Sequence, residues 1–520
     1  MNRQSVAVLI LVTWVGALGW LFWRRAGPTG GLLLDDVTRT VEPGALYYTV
    51  SMGSVPVGFA SNTVDTVPEG LLIEDRLSLE IPVLGAIRRV EASTTARLTN
   101  TLRLQSFVAR LVGDVGRFTA SGEVSGDTLL TIEFQSAGST QHVRVPLEEP
   151  VVLPVYMPLR LVFGGQPEIG NTYAIRTFDP LLLKNNDLSV RILKDSVLLV
   201  PDSAAFDSTS MSWIAARWDT VPAWHVEQKV NGLTVNAWID HLGRIVSASS
   251  ALGLTIERSP FEVAFLNFRN RDPNVSIADF ADIDIIQQTA IASNVDLSLD
   301  RSELRVVLGG IDQAGFDLEG GRQAVAGDTL IVTREDLSQL VIGWRLRPNR
   351  PGRAYPSREP SLRPYVSPEP LVQSEDPRIQ ARARQIVDGE RDPIVATRLL
   401  TNWVYEQLEK EITISVPSAV EVLQTLRGDC NEHAILFVAL ARAIGLPART
   451  AAGLVYVRGN FYYHAWPEVF LGEWVATDPT FGQFPADASH LRFTVGGLAR
   501  QAELIRLIGR LSLDVVEGAP

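Results

Sequence analysis

Between residues 45 and 258 apolar and polar side chains alternate in short runs. "LYYTVSMGSVPVGFASNTVDTV" and "LLIEDRLSLEIPV" are rich in β-branched residues and are broken by Gly and Pro, which predicts strands. "VRVPLEEPVVLPVYMPLRLVFGG" departs from this rhythm. It is apolar and carries several prolines, so it reads as a segment covering a sheet rather than a strand inside one. "AWHVEQKVNGLTVNAWIDHLGRIVSASS" resumes the alternation with three short strands, turning at Asn231-Gly232 and Leu242-Gly243. A large, mainly antiparallel, half-barrel-like β domain over residues 40–270 is the expectation. "SELRVVLGG" and "DTLIVTRE" predict a separate small β-rich module over 280–345.

The period then changes. Asp376-Pro377 and Asp392-Pro393 each pair an N-cap residue with proline at the first helical position. Leu399/Leu400, Trp403/Val404 and Gln407/Leu408 recur every four residues, and "SAVEVLQTLRG" repeats the pattern before Gly428. The stretch in between, "RLRPNRPGRAYPSREPSLRPYVSPEPL", is a Pro/Arg-rich connector over 346–375 with polyproline character. The predicted class is therefore α+β: a β-rich half followed by a helix-containing domain over 376–520.

Composition alters this picture in two places. With 46% hydrophobic and 20% charged residues the 520-residue chain is folded and multi-domain, and its formal charge of −12 excludes general nucleic-acid binding. Residues 6–23, VAVLILVTWVGALGWLFW, carry no ionisable side chain and as a helix would span roughly 27 Å. Arg24 and Arg25 follow with no small-x-small cleavage site before them. The expectation is an N-terminal transmembrane anchor within residues 1–30, with the soluble part extracytoplasmic.

Candidate chemistry centres on Cys430, the single cysteine. Disulfide scaffolding and cysteine-rich metal sites are excluded, and no metal or other cofactor is expected. In "LRGDCNEHAILF", Asp429 as N-cap makes Cys430 the first helical residue and Glu432 the third, a capping-box variant. Leu436, Phe437, Leu440 and Ile444 then line one face. A thiol at a helix N-terminus is expected to have a depressed pKa. His433 lies three residues on along the same helix, fixed beside the thiol with little room for a substrate carbonyl, and reads as a packing residue. His464 lies in "GNFYYHAWPEVFLGEWVATDPTFGQ", a strand, a turn at Gly472 and a second strand, with His464, Trp466, Glu468 and Phe470 on one face. With a Leu471-Gly472-Glu473 loop, Asp478 falls opposite Trp466 and diagonal to His464, within side-chain reach. A buried structural histidine beside an Asp-Pro turn accounts for the same residues.

"RGDCNEHAILFVALARAIGLPARTAAGLVY" followed by "YYHAWPEVFLGEWVATDPTFGQFPADASHLRF" resembles the bacterial transglutaminase-like superfamily over about residues 376–500. The resemblance rests on a Gly-x-Cys helix start, a His-Ala-Trp strand and a Trp-x-x-x-Asp-Pro-Thr strand. It implies a papain-like core in which Cys430 is the nucleophile, His464 the general base and acid, and Asp478 the group that orients it. Trp466 would contact substrate, and Gln424 or Trp403 would supply a second oxyanion donor beside the Cys430 N–H. It implies acyl transfer on protein or peptide amides through a Cys thioester, ending in hydrolysis or transamidation. Pro467 departs from a regular ladder. The competing expectation is a catalytically silent binding or scaffold protein on the same fold.

Overall fold

In the computed structural model, residues 41–516 are described apart from short stretches, the longest of which are 271–288 and 349–358. The described residues are mainly β, with 50% in strands and 21% in helices, and this corrects the α+β assignment. The strands run much longer than the local alternation indicated. Lys184–Asp207 and Ser212–Val230 form one hairpin of 24 and 19 residues. Among the described residues the long helices are confined to the stretch from Pro377 to Ala443. The expected anchor at residues 6–23 lies outside the described residues, and among those described no helix is long and apolar enough to cross a membrane. The single-pass anchor, and the extracytoplasmic location built on it, thus find no support.

The first half is one 14-stranded antiparallel sheet. Eight strands from Gly44–Met52 to Ser139–Pro146 meander outward, and six from Thr172–Asp179 to Leu254–Ser259 meander back. Gly44–Met52 pairs with Leu254–Ser259 and joins the two sets. The proline-bearing segment leaves the sheet, as its missing N–H groups require. It forms a 3-10 turn, Pro154–Tyr156, and a helix, Met157–Gly165, that bury Tyr156, Met157 and Leu159 against Leu71, Ile73, Phe107 and Ile132.

The second half has its own core. Helices Pro377–Val387, Pro393–Gln407, Ala419–Thr425 and Cys430–Ala443 pack together over Leu400, Val404, Leu436, Phe437 and Leu440. Asp376 and Asp392 cap the first two as their Asp-Pro pairs predict, each accepting a backbone N–H two residues on. The cysteine helix lies on a sheet in which Ala448–Val457 is flanked by Asn460–Phe470 and Leu491–Val495. The strand Glu303–Gly309 pairs with Thr329–Thr333 on one side and with Ser512–Val516 on the other, and Leu304 and Val306 share a core with Leu454, Phe461 and Phe493. The described strands of the 280–345 region therefore pair and pack with the C-terminal half. The described ends of the Pro/Arg-rich stretch are docked as well. Leu346 and Leu362 are buried, and Gln373 accepts hydrogen bonds from Ser418 Oγ (2.7 Å) and Val420 N (3.0 Å). The two halves meet through Arg88–Glu411 (2.7 Å) and Ser136 Oγ donating to Glu421 (2.7 Å).

Candidate active site

Local chemistry places Cys430. Gly428 has φ +156°, and a Cβ there would sit 2.2 Å from Glu432 Cβ, so only glycine lets the chain turn this tightly into the helix. Asp429 accepts the Asn431 N–H (2.8 Å), and Glu432 reaches back to the Asp429 N–H (3.0 Å), completing the capping box. Cys430 opens the helix half-buried and receives the backbone N–H of Ala465 from the neighbouring strand. A cavity of about 240 Å³ is bounded by Cys430, His464, Tyr463, Gln501, Leu504 and Ile508. The thiol and the imidazole thus face one space.

The hairpin carrying His464 has the register its alternation predicts. Phe470 pairs with Trp474, which leaves Leu471-Gly472-Glu473 as the loop. Pro467 breaks nothing. Its carbonyl accepts the Thr477 N–H (2.9 Å), so its nitrogen faces the same side, just past the last residue of the Trp474–Ala476 strand. Beyond that strand Asp478 turns inward, fully buried, and its Oδ2 lies 2.7 Å from His464 Nε2. This leaves Nδ1 of His464 for a partner in the cavity.

Sequence reasoning missed the other side of Asp478. His490 is fully buried, with Nε2 2.9 Å from the same Asp478 Oδ2 and Nδ1 3.1 Å from Asp487 Oδ1. Both ring nitrogens face carboxylates, so both donate and the ring is an imidazolium. Burial alone would lower its pKa, but hydrogen bonds and charge from Asp478 and Asp487 outweigh that and raise it to about 8. Asp478 is likewise opposed by burial, and the charges and hydrogen bonds of His464 and His490 hold it far below the usual carboxylate range. The signal in the sequence was "DASH", where Asp487 also accepts the Ser489 N–H (2.8 Å) in a local turn. His464, Asp478 and His490 are spaced closely enough for a metal ion. The closeness is already accounted for by the two histidines, whose Nε2 atoms both hydrogen-bond the one Asp478 Oδ2.

Other expected residues are placed differently. The Cys430 thiol is not depressed: burial pushes it well up, and the Asp429 carboxylate adds to the rise. The helix N-terminus is outweighed because the thiol packs against the apolar cluster of the neighbouring sheet. Trp466, expected at the substrate, is fully buried with Ala451, Ala476 and Ala486, edge-on to His490 at 5.1 Å. It backs the imidazoles and does not line the cavity. His433 is fully buried, with Nδ1 2.7 Å from the Asp429 carbonyl, and packs under the helix cap. Gln424 is exposed, and Trp403 lies beneath Arg382 at 5.3 Å; neither lines the Cys430 cavity, whereas Asn431 and Gln501 do. Behind the strand, Glu468 is buried between Arg449 (2.6 Å) and Arg492 (3.0 Å), which tie three neighbouring strands together.

The family model described as the transglutaminase-like superfamily matches residues 380–479. No curated protein matches the chain. Two solved structures resemble it weakly. One, from Cytophaga hutchinsonii and described as a candidate cysteine protease, is 15% identical, with 44% of this chain and 84% of that one covered, at a TM-score of 0.26. The other, described as a candidate protease from Parabacteroides distasonis, is 9% identical over 73% and 68%, at 0.18. Likenesses of that size carry no weight for fold or chemistry. The family match does: residues 380–479 of this chain are a domain of the transglutaminase-like superfamily.

Proposed function

We propose that this protein is a thiol-dependent acyl-transfer enzyme acting on protein or peptide amides, a cysteine protease, amidase or acyltransferase. The observation that carries the reading is the 2.7 Å contact between His464 Nε2 and the buried Asp478, on the wall of the cavity that Cys430 opens into. Cys430 would be the nucleophile, His464 the base and acid, and Asp478 the group that holds the ring with Nδ1 towards sulfur.

With the thiol protonated at rest, the first step is coupled. The Cys430 S–H proton passes to His464 Nδ1 as sulfur bonds to the amide carbonyl carbon. The resulting oxyanion would face the Cys430 backbone N–H, the one at the helix start that the capping box does not use. His464 then returns the proton to the amide nitrogen, the C–N bond breaks, and the amine leaves a thioester on Cys430. Water or a second amine, deprotonated by His464, attacks the thioester and releases the thiol. His490 never touches the reacting atoms. As an imidazolium on Asp478 it fixes that carboxylate and thereby His464.

Acyl-enzyme trapping tests this. The full chain, treated with p-nitrophenyl acetate, should gain one acetyl group on the Cys430 peptide, removable by hydroxylamine. His464→Ala should slow that gain by about 10²–10⁴-fold. Equal acetylation rates in wild type and His464→Ala would sink the enzyme reading and leave a silent scaffold.

A further inference from the structure

The large sheet holds a second cavity, of about 310 Å³, at the lower end of the size range of small-molecule sites. It lies where two apolar clusters of the sheet meet. Val64 and Leu159 belong to the cluster beneath the covering helix, and Leu77 and Ile256 pack on the cluster around Val50 and Leu79. The turn at Gly243 closes the cavity against that helix. Gly243 has φ +72°, and a Cβ there would sit 2.9 Å from Leu159 Cα, so the close approach depends on glycine.

One acid lines this apolar space. Asp75 lies opposite Asn62 in the strand register and takes a hydrogen bond from its Nδ2. No cation among the described residues pairs with it. Arg76, its chain neighbour, is exposed and paired with Glu74 (2.7 Å). Arg244, at the mouth, faces two carboxylates, Asp240 (3.4 Å) and Glu42 (3.6 Å). Tyr48 donates its phenol hydrogen to the Ile245 carbonyl (3.2 Å). Burial raises the Asp75 carboxyl to about 6, against which the Asn62 bond works only weakly. At neutral pH the fold therefore holds a carboxylate in a mainly apolar cavity, hydrogen-bonded by the Asn62 amide, a costly arrangement. The charged neighbours that could relieve it are committed elsewhere. What the cavity lacks is a cationic donor attached to an apolar body.

We propose that this cavity binds a small amphiphile whose aliphatic body lies between the sheet and the Met157–Gly165 helix and whose protonated amine pairs with Asp75. The site involves no residue of the Cys430 cavity, so the proposal stands or falls separately from the acyl-transfer reading.

The test compares n-decylamine, n-decanol and decanoate, each below its micelle concentration, by calorimetric titration of the full chain at pH 7.5. The amine should bind at least tenfold more tightly than the alcohol. Asp75→Asn should remove that preference while leaving alcohol binding in place, which also shows that the variant is folded. Amine binding should weaken between pH 7 and pH 5 as Asp75 takes up a proton. The proposal is overturned if the amine binds no better than the alcohol, if none of the three binds, or if Asp75→Asn keeps the amine preference. Tightest binding of decanoate would overturn it in favour of an anion site at Arg244.

Discussion

Replacing His490 with glutamine removes the imidazolium between Asp478 and Asp487 and leaves two carboxylates with poorer donors. The structure sets the size and sign of the effect. The ring is fully buried, and its pKa is raised from 6.5 to about 8 because the hydrogen bonds and charges of both carboxylates outweigh the cost of burying it. At about 1.4 kcal/mol per pH unit, that rise corresponds to roughly 2 kcal/mol favouring the folded state. Because the folded-state value lies above that of the free imidazole, the contribution is complete below pH 6.5 and is lost as pH rises through about 8. Urea unfolding followed by tryptophan fluorescence suits the question, since Trp466 lies 5.1 Å from the His490 ring. Wild type should exceed His490→Gln in stability by about 2 kcal/mol more at pH 6 than at pH 9. Hydroxylamine-sensitive acetylation of Cys430 should also fall in the variant, through lost positioning of His464, with its alkaline limb shifted relative to wild type. A stability difference equal at pH 6 and pH 9 would refute the assignment of His490 as an imidazolium.

Three shorter predictions come from the same geometry. Iodoacetamide should alkylate Cys430 slowly at pH 7, with a rate still climbing above pH 9, because burial raises the thiol; a plateau below pH 8 would show a preformed thiolate and contradict the coupled first step. Glu468→Gln leaves Arg449 and Arg492 without their shared buried carboxylate and should cost about 3–5 kcal/mol by thermal or urea unfolding; a loss below 1 kcal/mol would show that the bridge contributes little. Asp75→Asn should stabilise the protein by up to about 3 kcal/mol at pH 7.5 with no amphiphile added, because a carboxyl raised from 3.8 to about 6 destabilises the fold increasingly as pH rises through that window. The gain should vanish near pH 4, and an equal gain at both pH values would refute it.

Much of the candidate site was legible because its determinants are local. The Asp429 cap, the Glu432 box and the three-residue loop after Phe470 follow from side chains within a few positions of one another. What escaped depends on distant chain. His490 reaches Asp478 from the start of Leu491–Val495, which pairs with Ala448–Val457 on the side away from the His464 strand. The thiol was misjudged for the same reason: the helix N-terminus is visible in the sequence, but the apolar cluster around Leu504 and Phe493 on which the cysteine packs is not. The fold class erred because alternation broken by Gly and Pro was read as many short strands, whereas the ladder carries Lys184–Asp207 past Pro201 with only a local shift of register. The module expected at 280–345 gave no hint that Glu303–Gly309 would pair with the end of the chain, some 200 residues away.

Three acids, Glu468 and Asp478 fully buried and Asp75 partly so, show how this chain separates architecture from chemistry. Glu468 is held below its usual range against burial by two arginines, and it joins strands. Asp478 is held down by two histidines, and the same bonds that stabilise it aim His464. Asp75 has no such escort and is pushed up instead. A fully partnered buried carboxylate can be explained by the fold it supports, but one left with a single amide has no structural return for its cost. That asymmetry, more than the size of either cavity, separates the two candidate sites: in one the protein completes its own charge network, and in the other the missing partner must come from outside.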